Sequence, residues 1–148
     1  MTTPGLAEVT HPLPVLVMNY DQLLSNMMCE VLSLEGYRTT AMTRGQACLE
    51  HLARHREPHI LAIQQFWSLQ GDLHVLRYLR GNPPLRRRLA VVVCGAHSSL
   101  DEHVRKTAPF AVAILQLPFD LDHMINVIAS AEERLGARVR ARGGVEGE

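Results

Sequence analysis

The sequence predicts an α/β domain in which a parallel sheet lies between two layers of helices, and three observations carry that expectation. Short apolar runs of strand length alternate five times with amphipathic helical segments. The runs are continuous rather than alternating, as in strands covered on both faces. No motif recurs at a solenoid period, and 148 residues suit one domain with one compact core.

The elements follow in order. Residues 1–13 are polar and proline-punctuated and read as a flexible lead-in. PVLVM, 14–18, is a first strand, and the apolar spacing of Leu23, Leu24, Met27, Met28, Val31, Leu32 and Leu34 predicts a helix over 21–35, with Gly36 as its C-terminal stop. YRTTAM, 37–42, is a second strand, followed by a helix over 45–55 that turns Cys48, Leu49 and Leu52 inward and ends before Pro58. HILAI, 59–63, is a third strand, followed by a helix from about Asp72 to Arg80. LAVVVC, 89–94, is the most strand-like run in the chain; a helix around Ser99–Lys106 and a fifth strand, FAVAIL at 110–115, come after it. A last amphipathic helix spans 121–135, and residues 137–148 read as a disordered polar tail, which leaves one domain over 14–136.

Composition narrows the function classes. Fifteen basic residues balance fifteen acidic ones, so nothing global draws the chain toward nucleic acid or a membrane surface. Cys29, Cys48 and Cys94 are odd in number and sit in apolar segments rather than CxxC pairs, which argues against a disulfide framework or a zinc site and for a reducing cytoplasm. No window approaches the roughly 18 apolar residues of a membrane span.

In open parallel sheets, ligands bind beyond the carboxyl ends of the strands. That rule selects Asn19, Tyr20 and Asp21, then Gln64 to Trp67, Gly95 to Ser98, and Gln116 and Leu117; among these only Asp21 is acidic. The first turn, MNYDQLL, has no glycine; neither GxGxxG nor a P-loop occurs, and there is no GxSxG nucleophile elbow. Phosphate-cradling and acyl-transfer sites of those kinds are excluded.

An ordered set of short motifs is more informative. VLVMNYD after the first strand, EGY before the second, PHILAI entering the third, GDLHVLRYLR in the third helix, AVVVCGAH at the fourth strand and LPFDLD after the fifth resemble the receiver domain of bacterial two-component response regulators over about residues 14–136. The resemblance implies a flavodoxin-like doubly wound (βα)5 three-layer sandwich with strand order 2-1-3-4-5. It also locates the family's phosphorylation apparatus. The metal-holding acids fall on Asn19 and Tyr20, the phosphoaccepting aspartate on Gln64, the hydroxyl residue on Gly95, the lysine on Leu117 and the switching aromatic on Ile114. Each position departs from the family pattern. A carboxamide is a far poorer nucleophile than a carboxylate, and magnesium prefers anionic oxygen ligands. The resemblance is therefore to a pseudo-receiver that needs no cofactor, is not an enzyme and acts through a protein partner.

The family's partner and dimer face, built on its fourth helix, fifth strand and fifth helix, would here include His103, Arg105, Lys106, Asp122, Asn126 and Glu133. Phe66 and Trp67, adjacent aromatics beside the missing acid, are expected either to cover the vacated pocket or to meet a partner.

Other features have plainer explanations. Asp21 before QLLSNMM reads as a helix N-cap rather than a metal ligand. His51 and His55, four apart, are a chelate without a third partner and read as an exposed helix face. The run Arg86–Arg88, with Arg77 and Arg80, and the tail arginines Arg134, Arg138, Arg140 and Arg142 would suit phosphates of a nucleic acid, but a solvated loop and a basic extension are the simpler reading. Cys94 is expected to be a buried strand residue. A small-molecule sensor using the neutral pocket and a nucleic-acid-associated regulator remain the alternatives to a protein-contact role.

Overall fold

The computed structural model describes residues 11–64, 70–96 and 100–146. Its strands are β1 (Val15–Met18), β2 (Thr39–Met42), β3 (His59–Gln64), β4 (Leu89–Gly95) and β5 (Ala113–Gln116). They pair in parallel in the order β2-β1-β3-β4-β5, as expected. The helices are α1 (Gln22–Leu34), α2 (Gly45–Arg54), α3 (Gln70–Arg80), α4 (Pro83–Arg86), α5 (Leu100–Thr107) and α6 (Leu121–Glu146).

The pleat sorts each apolar run into two cores. Leu16, Met18, Leu61, Ile63, Val91 and Val93 meet Leu52 of α2, Leu76 and Leu79 of α3, Leu85 of α4 and Val104 of α5. Their neighbours Val15, Val17, Ile60, Ala62, Ala90 and Val92 meet Met28 and Leu32 of α1 and Met124, Ile128 and Leu135 of α6. Every residue of β1, β3 and β4 is buried, which is why these strands show no polar alternation.

Local chemistry sets the boundaries. Asp21 caps α1, accepting from the amides of Leu23 and Leu24 at 3.0 and 3.2 Å. The helix ends in a Schellman motif: Tyr37 N donates to Leu32 O and Gly36 N to Ser33 O, both at 3.0 Å, with Gly36 at φ 95°, where a side chain would be strained.

Four stretches differ from expectation. The Arg86–Arg88 region is not a plain loop, because Asn82 accepts from Leu85 N at 3.2 Å, prolines occupy the first turn and Leu85 is buried, which together make α4. β5 begins at Ala113 rather than at 110, after a turn through Pro109 and Phe110. The last helix does not stop at Leu135: Val139 packs on the second core, and Arg138 donates to Leu89 O at 3.0 Å, so 137–146 continue α6 where a tail was expected. Residues 11–13, expected in the lead-in, are fastened by His11, which stacks on Tyr37 at 3.8 Å and meets Glu132 at 2.8 Å.

Candidate functional site

Register brings the selected residues together at the carboxyl edge of the sheet. Met18 lies opposite Ile63, so Asn19 follows β1 beside Gln64 at the end of β3; Gln64 pairs with Cys94 and Gly95 with Gln116, and Leu117 comes next. Asn19, Tyr20, Gln64, Gly95 and Leu117 thus share one edge. Ile114 sits lower on β5, opposite Val93, half-buried against the core beneath α5. Phe66 and Trp67 lie outside the described residues.

Each side chain has a definite environment. Asn19 is 1% exposed; its Oδ1 accepts from Asp21 N at 2.9 Å, and its own amide donates to Met42 O at 2.9 Å, so the carboxamide shapes the turn into α1. Tyr20 is half-buried and packs against the core roofed by α2, α3 and α5. Gln64 is 5% exposed, and its Oε1 has no hydrogen-bond partner among the described residues. Such a group costs about 1–3 kcal/mol relative to a satisfied one. Gly95 O accepts Leu117 N at 2.7 Å, which ties the two loops together, and the Leu117–Pro118 bond is cis.

Two acids in the loops at this edge serve as caps. Asp21 caps α1, and Asp120, which the sequence had marked only as part of LPFDLD, accepts from His123 N at 2.7 Å at the start of α6. The described side chains at the positions matched to the family's acids, Asn19, Tyr20 and Gln64, carry no charge. That donor set does not fit a magnesium ion, which wants hard anionic oxygens in an octahedral array. Burial pushes the Cys94 thiol up to about 12, so it supplies no thiolate nucleophile.

On the face expected to meet partners, Arg105, Lys106, Asp122, Asn126 and Glu133 are exposed and His103 is half-buried. Lys106 pairs with Glu102 at 3.5 Å. Between α5 and β5 runs a groove of about 320 Å³ lined by Asp101, Val104, Arg105, Ala108, Ala111 and Ile114, which joins the switching-aromatic position to this face.

Four of the arginines considered for nucleic acid, Arg86, Arg88, Arg134 and Arg138, cap carbonyls. Arg86 donates to Leu79 O at 3.1 Å and to Arg80 O, and its guanidinium lies over the Phe110 ring at 5.5 Å. Arg88 donates to His55 O at 2.9 Å and Leu52 O at 2.6 Å, closing the end of α2. Arg134 donates to Val112 O at 3.1 Å. The rings of His51 and His55 stack at 4.2 Å with His59 edge-on at 5.5 Å from His51, yet among the described residues no group of three His, Cys, Asp or Glu is placed to hold a metal ion. No described helix is long and apolar enough to cross a membrane.

No protein-family model matches the sequence, and no curated protein matches it significantly. Solved structures do. A signal receiver domain from Vibrio parahaemolyticus superposes with a TM-score of 0.74 at 18% identity, covering 88% of this chain and 97% of that one. A CheY-like response regulator receiver domain protein from Methanospirillum hungatei JF-1 gives 0.70 at 17% identity over 88% and 99% of the two chains. The beryllofluoride-activated NtrC4 receiver domain dimer gives 0.68 at 21% identity over 82% and 98%. The chain thus has the fold of response-regulator receiver domains, with uncharged side chains at the positions matched to that family's acids.

Proposed function

We propose that this chain is a two-component signalling domain of the receiver type that works as a pseudo-receiver, through protein contact and without phosphorylation. The observation that carries the proposal is Gln64. It ends the central strand in the place matched to a phosphoaccepting acid, almost wholly buried, with an amide that cannot form an acyl phosphate. Asn19, Gly95 and Leu117 beside it remove the metal ligand, the hydroxyl and the lysine together. A lone acid-to-amide change would leave a buried cation uncompensated, whereas joint neutralisation leaves no stranded charge.

Output then passes through a surface. The α5–β5–α6 face carries mixed charge around an apolar groove, and β5 is an edge strand, which suits a cytoplasmic protein partner or a second copy of the chain. A similar domain, that of NtrC4, was solved as a dimer. The capping arginines weigh against a nucleic-acid role, since their guanidinium donors are already engaged with backbone carbonyls.

Incubation with acetyl phosphate and magnesium, read by intact mass, tests the proposal. No phosphoryl gain is expected, and a stoichiometric gain would overturn it. The competing sensor role, with a metabolite in the Gln64 pocket, predicts a ligand-dependent rise in melting temperature that Gln64→Leu abolishes.

A further inference from the structure

We propose that the crevice between the start of α1 and the β2–α2 loop binds a small phosphate monoester. The crevice measures about 330 Å³ and is lined by Gln22, Ser25 and Asn26 on one side and by Thr43, Arg44 and Ala47 on the other. Gln64 is not among its lining residues, so the crevice and the Gln64 position are tested separately.

Three independent features converge on an oxyanion. The first is the start of α2, a ten-residue helix whose N-cap position is taken by Arg44 in an extended conformation with no side-chain cap. Its first inward bond runs from Cys48 N to Arg44 O at 3.1 Å, which leaves the amides of Gly45, Gln46 and Ala47 without intrahelical acceptors at the positive end of the helix dipole. The second is the exposed Arg44 side chain itself, which adds a full positive charge at the same lip, while no carboxylate lines the crevice.

The third is Ser25 on the opposite wall. It is completely buried, and its Oγ has no hydrogen-bond partner among the described residues. A serine inside a helix ordinarily returns its hydroxyl to the carbonyl one turn back. Here Asp21 O takes the Ser25 amide at 2.9 Å, and the hydroxyl finds no acceptor among the described residues. A buried donor left idle in the wall of a cation-lipped crevice points to an acceptor that arrives from outside. Helix amides, a guanidinium and hydroxyls approaching from two walls suit the three terminal oxygens of a phosphate better than a planar carboxylate. The crevice is larger than a phosphoryl group requires, and the carboxamides of Gln22 and Asn26 suit a small polar body beyond it.

Occupancy would brace the two loops at the end of β1. The turn after β1 is already tied to the end of β2 through the bond from Asn19 N to Met42 O, so the ligand would stiffen the turn that holds Asn19 at the candidate site.

The test titrates the whole chain with inorganic phosphate and with glycerol phosphate, against sodium chloride at matched ionic strength, reading melting temperature and the amide resonances of Gln46 and Ala47. Both phosphates should give saturable shifts. Arg44→Gln should weaken binding at least about tenfold, the loss expected for one charged hydrogen-bonding partner. Ser25→Ala should also weaken it while leaving the unliganded protein at least as stable as the parent. Absence of saturation, equal responses in Arg44→Gln and parent, or an unchanged affinity in Ser25→Ala would overturn the proposal. A response to a phosphoserine peptide alone would overturn the small-molecule assignment.

Discussion

The two ends of the sheet are built by different rules. At the amino end, polar groups find partners across long stretches of sequence: Arg88 closes α2, Arg138 reaches Leu89 O, and Arg38 donates to Pro12 O at 2.7 Å, while the His59 ring meets the nearby Glu57 O at 2.7 Å. At the carboxyl end, two buried polar atoms, Gln64 Oε1 and Ser25 Oγ, have no hydrogen-bond partner among the described residues; at the amino end one, Tyr37 Oη beside the stacked His11 ring, is in the same position. Native proteins satisfy nearly all buried polar groups, so the carboxyl end is the less completely satisfied of the two, while the amino end is the one tied together by arginine–carbonyl contacts. The contrast also teaches that arginine-rich sequence is not by itself a nucleic-acid signature, since here the guanidiniums of Arg86 and Arg88 close the ends of α3 and α2.

Four experiments would break or sharpen that contrast. The largest effect is expected for Gln64→Asp. A lone carboxylate in this neutral, buried place should cost about 3 kcal/mol at neutral pH, chiefly from desolvation. Its folded-state pKa would be raised, so native binds protons in preference to unfolded chain; stability is retained below the unfolded value and lost as pH rises from about 4 toward 7. Urea titrations across that range would show it, and a pH-independent variant would mean that an unrecognised cation faces Gln64.

Next, at the other end, Arg88→Met keeps much of the aliphatic stem but removes two carbonyl contacts, and should cost about 2 kcal/mol in chemical denaturation. A loss no greater than that of an exposed arginine such as Arg77 would erase the distinction between the ends. Gln64→Leu, by contrast, deletes a carboxamide whose Oε1 has no partner among the described residues and should leave stability equal or raise it by up to about 1 kcal/mol; a marked loss would show that the oxygen has a partner.

The smallest effect concerns acid. Burial, with His55 as a secondary cause, holds His51 below its ordinary value, and burial does the same to His59. A base with a depressed folded pKa binds protons better when unfolded, so stability is fully present above about pH 6.5 and declines as pH falls from there. Melting temperature between pH 7.5 and 5.5 should fall less in a His51→Gln, His59→Gln double variant than in the parent.

Much of the molecule was legible in the chain because it depends on near neighbours. Strand identity followed from uninterrupted apolar runs, α1 from the spacing of its apolar face, its ends from Asp21 and Gly36, and the carboxyl edge from the general geometry of parallel sheets. The motif resemblance then supplied the strand order and marked Asn19, Gln64, Gly95 and Leu117. What could not be read was what those residues touch. That Asn19 N meets Met42 O, and that Gln64 Oε1 has no partner among the described residues, follow from segments that sequence does not place beside them.

The same division runs through the whole protein. Sequence alone determined the periodicity, the caps and the neutrality of the edge, because side-chain type and spacing fix them within a few residues. Only tertiary structure decided that α6 continues to Glu146 with Arg138 on Leu89 O, that His11 is fastened to Tyr37 and Glu132, that Arg88 and Arg134 reach distant carbonyls, and that Ser25 faces the start of α2 across a crevice. Each of these is a contact between segments far apart in the chain, and the free energy that selects it appears only when the sheet has brought those segments together.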